Sequence, residues 1–436
     1  MDWTALFNTG RFPDSPARIN PTRNPFQIDQ DRIVFSRPFR RLQQKTQVHP
    51  MVTNAHVRNR LLHTLEVASI GRSIGFAVGS ELRSELASAG RTPDDLGYLV
   101  QATCLAHDIG NPPFGHAGEE VIAGFMAEWL EKDGAASGFP LDEDLRFFDG
   151  NAQGFRILTR ADGYRERGGL KLTQACLGAF IKYPWGGADP RASKHGRPGV
   201  KFNHFATEAG AFAAVRTACG LSGPLPRHPA VWLMEAADDI TYSLADLEDA
   251  VELRITPYSQ YEELLLPLAG ITRDRVAEED NVPQKLALLR SRAAGRMIGA
   301  ATLAFCEHHE AILAGRMARG GLIELAEPAL REPFQALQRT NRDTLYLHPS
   351  KAEFEIGARD VLEKTLAVFL EACLAFAQGQ GLDRMALRPR QALSLMQDYH
   401  PKEGFSPSET LRCAIDFVAG MTDHYAANLA ARLRGL

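Results

Sequence analysis

Apolar residues fall three and four apart along nearly every stretch after Asp31, and the two-residue alternation of a half-buried strand is scarce. A chain with that periodicity buries its apolar stripes by packing helix on helix, so the sequence predicts an all-α protein. Helical patterning covers residues 31–47, 58–90, 94–109, 116–132, 150–160, 172–181, 204–219, 229–253, 283–314, 322–338, 351–378, 386–398 and 408–433. Residues 1–30, rich in Pro, Asn, Asp and Arg, carry no sustained period and read as an irregular N-terminal arm. Two more irregular stretches, 134–150 and the Gly-, Pro- and base-containing 182–203, are expected to border a cavity. There is no repeat at solenoid periods.

A chain of 436 residues with 44% hydrophobic and 23% charged residues can bury a substantial core, which excludes disorder as its main theme. Lys and Arg number 49 against 53 Asp and Glu, a formal net charge of −4, so a wholesale basic nucleic-acid binder is excluded while a local basic patch stays open. Cys104, Cys176, Cys219, Cys306, Cys373 and Cys413 are scattered singly, without metal-ribbon or CxxC spacing, which fits a reduced interior. The first residues, MDWTALFNTGRFPDS, lack the basic and apolar regions of a secretory signal, and no 18-residue apolar window occurs. The expectation is a cytoplasmic protein with no membrane partner.

The residues that could carry chemistry lie on three apolar helices. In RLLHTLEVASIGRSIG, His63 falls in register with Val67, Ile70 and Ile74 on the inward face, where a lone histidine is ordinarily a satisfied core residue. Downstream, LVQATCLAHDIGNPP delivers His107 and Asp108 just before Gly110, Asn111, Pro112 and Pro113 end the helix. Adjacent helical side chains point about 100° apart, which suits neighbouring positions around one ion, although a simple helix cap gives the same two letters. The third segment, HPAVWLMEAADDITYSLADLEDAVEL, carries an aliphatic stripe of Leu233, Ala237, Ile240, Leu244, Leu247 and Val251. Opposite it run Asp238, Tyr242, Asp246 and Asp249. A tyrosine set among carboxylates on so apolar a helix suggests a second buried face looking into a polar cavity. Spacing leaves Asp238 and Asp239 both open as a ligand.

Two imidazoles and two carboxylates make a mixed N/O set suited to Mg²⁺ or Mn²⁺, with Fe²⁺ or Zn²⁺ as alternatives, and leave open positions for water and substrate. His116 and Glu119 follow the HD pair three residues apart, on one helical face, as a candidate proton-transfer pair. An N-terminal helix cap would place them in the same way.

Six co-linear blocks, RRLQQKTQV, RNRLLHTLEVASIGR, LAHDIGNPPFGHAGE, GNAQGFRIL, EAADDITYSLADLEDA and DFVAGMTDHYA, are together similar to the deoxyguanosine triphosphate triphosphohydrolases and related dNTPases of the HD-domain superfamily. The resemblance covers roughly residues 30–430. It implies an α-helical, oligomeric protein that hydrolyses a dNTP to deoxynucleoside and inorganic triphosphate. It implies His63, His107, Asp108 and Asp238 as metal ligands, choosing the aspartate four before the tyrosine, and His116 with Glu119 as the catalytic pair. Tyr242, Asp246 and Gln47 match deoxyribose-contacting positions, and Arg60 and Lys182 match phosphate-binding ones. It divides the chain into the arm 1–30, an HD-type catalytic core at 31–255 and a helical region at 256–436 packed on that core. Between 260 and 400 only scattered features match.

Arg60, one turn before His63, could bring a cation and a metal together on the phosphates, and Lys182 could swing in from the Gly-rich loop. A tyrosine under the sugar would be crowded by a 2′-hydroxyl. The competing readings are another HD phosphohydrolase, a 5′-deoxynucleotidase or phosphodiesterase, and a silent oligomer that binds a nucleotide effector or single-stranded DNA through Arg37, Arg40, Arg41 and Lys45.

Overall fold

The computed structural model describes residues 1–13, 22–48, 54–160, 169–193, 201–317, 320–379 and 382–435. Nineteen α-helices lie among the described residues, with three isolated bridges, Arg11 to Thr173, Thr46 to Asn59 and Gly186 to His204, and no sheet. The protein is all-α. No helix among the described residues is long and apolar enough to cross a membrane.

The centre of the fold is a close pair, the helices Arg60–Glu81 and Pro93–Ala106. Their approach depends on small residues: a Cβ added at Gly75 would lie 2.9 Å from the Gly97 Cα, and one at Gly79 would lie 2.7 Å from the Pro93 Cα. The SIGRSIGFAVGS stretch sets these glycines four residues apart, so they share one face. Helix Pro229–Glu252 packs across both, with Leu233, Ala237, Ile240, Leu244 and Leu247 buried as the stripe requires. This core continues into helices Tyr258–Ala269 and Val282–Leu313. A second apolar cluster gathers helix Gly115–Trp129 with Pro349–Ala377, Leu387–Leu395, Pro407–Ala419 and Asp423–Leu433.

Several boundaries differ from the sequence reading. Within residues 1–30, Trp3–Leu6 is helical and a longer helix already begins at Pro25, capped by the Asn24 side chain. The burial of Phe26, Asp29 and Ile33 gives that helix too polar a stripe to stand out. Helix Tyr258–Ala269 escaped the pattern because Pro267 falls in its last turn and reads as a breaker, while Gly270 at φ +63° ends it. The span 408–433 is two helices, interrupted after Ala419 by Gly420, Met421 and Thr422. Of the 182–203 loop, residues 194–200 lie outside the described part, and Pro190–Ala192 forms a single 3₁₀ turn.

His228 caps the long Pro229–Glu252 helix. Its Nδ1 accepts from Ala230 N at 3.1 Å, and its Nε2 donates to Leu6 O at 3.0 Å, so the ring is held neutral. Burial drives it from its ordinary 6.5 down to about 4. The unfolded chain therefore binds the proton first as pH falls. The stabilisation is complete above pH 6.5 and is lost on the way to pH 4, by on the order of 3 kcal/mol. His228→Asn keeps a capping oxygen without this titration. Chemical denaturation from pH 7 to pH 4 should show wild type losing more stability than the variant, and parallel curves would refute the assignment.

Candidate active site

His63 sits in the first turn of the Arg60–Glu81 helix, His107 and Asp108 at the end of Pro93–Ala106, and Asp238 midway along Pro229–Glu252. The packing of these three helices brings the four side chains together. His63 Nε2 lies 3.1 Å from Asp238 Oδ1, and His107 Nε2 lies 3.7 Å from the same oxygen and 3.5 Å from Asp108 Oδ1. The candidate donor atoms of His63, His107 and Asp108 all fall within 4.8 Å of one another. His107 Nδ1 donates to the Cys104 carbonyl at 2.7 Å, which leaves the lone pair of Nε2 facing inward. Burial opposes ionisation of Asp108, but Arg60 and the two histidines hold it well below the usual carboxylate range. Asp238 is half-buried; desolvation opposes its ionisation too, but His107, His63 and Lys182 bring it down to about 2. Two ionised carboxylates beside two imidazoles, all facing one polar cavity, fit a divalent cation.

Asp239 goes elsewhere. It faces a neighbouring cavity of about 170 Å³ with Glu235, Arg227 and Trp185, where burial and the Asp238 charge push it up to about 7.

The four residues line a polar cavity of about 280 Å³, and Gln47, Arg60, His116, Glu119, Lys182 and Tyr242 line it too. Asp246 does not reach it: one turn beyond Tyr242 it is fully buried, accepts from the Tyr346 hydroxyl at 2.5 Å, and leaves Oδ1 without a partner. Burial pushes its carboxyl well up. Arg60 Nη1 donates to Asp108 Oδ2 at 2.6 Å, and Arg60 as a whole is only 6% exposed. It packs against Gly115, φ +58°, where a Cβ would sit 2.7 Å from Nη2.

His116 keeps its side chain 79% exposed and gives Nδ1–H to Glu119 at 2.8 Å. The other Glu119 oxygen accepts from Gly150 N at 2.8 Å. Burial alone would raise this carboxyl, yet Lys201 and His116 bring it down to about 2. The GNAQGFR block explains itself here. A Cβ on Gly110 would lie 2.1 Å from Gly150 O and from Gly154 N, so the turn after the HD pair lies directly on the Gly150–Thr159 helix.

Sequence reasoning missed several lining residues. Lys201 stands 3.7 Å from both Glu119 Oε2 and Asp149 Oδ2, and those two carboxylates hold its ammonium above its ordinary range against the cost of burial. Asn111, Asn151 and Tyr183 also face the cavity. Tyr346 stacks on Tyr242, centroids 5.5 Å apart, from a π-helical turn at Arg342–Tyr346. The "GVKFN" and "TLYLH" strings carry no spacing that would have flagged either residue.

A further cavity, about 540 Å³, lies away from this chemistry. Arg37, Arg40 and Arg41 line it with Tyr399, Phe417 and Tyr425, and Asp398 is the one carboxylate among its lining residues. Lys45 belongs to neither a basic face nor that cavity: it is 4% exposed, and its Nζ donates to Asn111 O at 2.5 Å and Ala419 O at 3.0 Å.

Residues 325–432 match a family model described as a phosphohydrolase-associated domain. Over its whole length the chain is 39% identical to a deoxyguanosinetriphosphate triphosphohydrolase-like protein of Pseudomonas aeruginosa, of which 99% is covered. A protein of the same name from Synechocystis is 35% identical, with both chains covered completely. The deoxyguanosinetriphosphate triphosphohydrolase of Salmonella paratyphi A is 30% identical over 94% of this chain and 93% of its own. With that full-length similarity and an all-α fold built around a His–Asp cluster, the chain belongs to the deoxyguanosinetriphosphate triphosphohydrolase-like family of HD-domain hydrolases.

Proposed function

We propose that this protein is a metal-dependent dNTP triphosphohydrolase, converting a deoxynucleoside triphosphate and water to deoxynucleoside and inorganic triphosphate. The observation that carries the reading is one polar cavity into which two imidazoles, two ionised carboxylates, the His116–Glu119 pair and the cations Arg60, Lys182 and Lys201 converge. Three fixed cations suit a ligand with about four negative charges and exceed what a monophosphate needs. His63, His107, Asp108 and Asp238 would hold the ion, Mg²⁺ or Mn²⁺ in the first place. When bound, such an ion supplies Lewis-acid polarisation of a phosphoryl oxygen.

The chain's own groups divide the remaining work. Arg60 is tied to Asp108, and Lys182 Nζ stands 3.4 Å from Glu235, so both are positioned before substrate arrives. The face of Tyr242, backed by Tyr346, would carry the sugar with Gln47 beside it, and Asp246 would act from behind by holding the Tyr346 hydroxyl. His116, with Nε2 turned away from Glu119, would move a proton between water and the 5′-oxygen. Water attacks the α-phosphorus, the P–O5′ bond breaks, and the 5′-oxygen leaves with a proton.

Partners follow the same reading: a homo-oligomer in the cytoplasm, with the 540 Å³ basic and aromatic cavity supporting a nucleotide effector or single-stranded DNA. The test is product identity. With each dNTP and NTP in Mg²⁺ or Mn²⁺, the expected product is inorganic triphosphate, and in ¹⁸O-water the label enters triphosphate while the nucleoside stays unlabelled. Label in the 5′-hydroxyl would mean C–O cleavage, and orthophosphate released from a dNMP would favour the 5′-deoxynucleotidase reading.

A further inference from the structure

The DFVAGMTDHYA block lies far from the HD motif in sequence, yet its last acidic residue reaches the catalytic cavity's frame. Asp423 stands in the first turn of the Asp423–Leu433 helix and is 2% exposed. Its Oδ2 accepts from Thr46 N at 2.8 Å, and its Oδ1 accepts from Phe114 N at 3.0 Å. Each amide belongs to a residue next to, or two before, a group that lines the cavity: Thr46 precedes Gln47, and Phe114 precedes Gly115 and His116.

Both segments need an external hold. Phe114 adopts φ +65°, a left-handed conformation that a phenylalanine rarely takes, and it is the N-terminal boundary residue of the Gly115–Trp129 helix without a side-chain cap. The Thr46 segment is bound to the Arg60 helix through one isolated bridge to Asn59. Lys45 supplies a parallel tie, joining Asn111 O beside the HD turn to Ala419 O at the end of the Pro407–Ala419 helix. The last two helices therefore hold both walls of the cavity through the Asp423 carboxylate and through the Ala419 carbonyl that accepts from Lys45.

We propose that Asp423 is a positioning residue for the hydrolytic reaction: its buried carboxylate fixes the backbone at Thr46 and Phe114 and thereby sets Gln47 and His116 at the substrate. What is positioned rests on the triphosphohydrolase reading, and how rests on the two hydrogen bonds from Thr46 N and Phe114 N to Asp423. It requires an acceptor at both oxygens. Asp423→Asn keeps the shape but puts an NH₂ against one of the two N–H donors.

The experiment uses the full chain carrying Asp423→Asn, Lys45→Met, His116→Ala and Asp423→Asn with His116→Ala. Asp423→Asn should lower kcat about 10- to 100-fold, the size of effect a small misplacement produces. In the His116→Ala background the same substitution should lower kcat several-fold less than it does in the wild-type background, because the share that acts through His116 is already lost and only the share that acts through Gln47 remains. A merely structural role would multiply the two losses in full, and that result overturns the inference. Hydrogen exchange without substrate gives the second reading. Peptides spanning 44–48 and 112–117 should exchange faster in Asp423→Asn, while the helix 93–106 keeps its protection. Lys45→Met should show the same local pattern if Asp423→Asn fails to fold. Unchanged exchange at both segments overturns the positioning role whatever the protein hydrolyses, whereas failure of the wild-type protein to hydrolyse any dNTP overturns the functional reading instead.

Discussion

Replacing any one of His63, His107, Asp108 or Asp238 is expected to remove the bound divalent ion and dNTP hydrolysis together. Each would supply one of the four proposed donors, and groups that merely orient a metal ligand already cost about 10- to 100-fold when removed, so a direct donor should cost more than about a hundredfold. The choice of substitution matters at Asp108. Its Oδ2 is the partner of a buried Arg60, so Asp108→Ala also strands a guanidinium and should cost stability of about 3 kcal/mol beyond the metal effect. Asp108→Asn keeps a partner for Arg60 and isolates the ligand role. Asp239→Ala is the control, because that side chain faces the adjacent cavity. Metal content and turnover measured on the same preparations decide the matter. Full occupancy in Asp238→Ala with loss in Asp239→Ala would mean that the wrong aspartate has been assigned.

His116→Ala should lower turnover by on the order of 10²–10⁴ while the metal stays. The exposed ring touches Glu119 and none of the four proposed ligands through a described hydrogen bond, which separates proton transfer from metal binding. Glu119→Gln should cost less, since an amide oxygen can still accept from Nδ1, but it no longer stabilises a charged ring or the Lys201 ammonium beside it. The double variant should be little worse than His116→Ala, as expected for residues acting as a unit. Near wild-type turnover in His116→Ala, or two losses that multiply, would transfer the proton chemistry to another group.

Much of the site was legible because helical periodicity is a spatial statement. His63 in register with Val67 and Ile74 had to point inward, and the stripe that carries Tyr242 had to face something polar. Periodicity could not choose between Asp238 and Asp239, since both sit beside the same stripe; only the loop at Gly320 and Gly321 gives Asp239 a cavity of its own. It also placed Asp246 on the cavity face one turn too far along. The helix runs out of the cavity there, and a tyrosine delivered by a π-helical turn covers the carboxylate. Lys201 comes from a loop and Tyr346 from a helical irregularity, and neither has a period to read. Lys45 stands in sequence beside Arg37, Arg40 and Arg41 as a candidate nucleic-acid contact, but its position is set by carbonyls at Asn111 and Ala419, which no local pattern encodes.

The Asp423 and Lys45 ties have a bearing on how the protein comes into being. Thr46 and Asp423 are separated by 377 positions, Lys45 and Ala419 by 374, and Phe114 and Asp423 by 309. Contacts of such span are closed late, after more local helix pairs have formed. On the ribosome, the three helices bearing His63, the HD pair and Asp238 can assemble long before residue 423 has been made. A growing chain would thus hold a nearly complete donor set while Gln47 and His116 still lack their fastening. On the proposed function, synthesis itself would delay hydrolytic competence until the last helices are made.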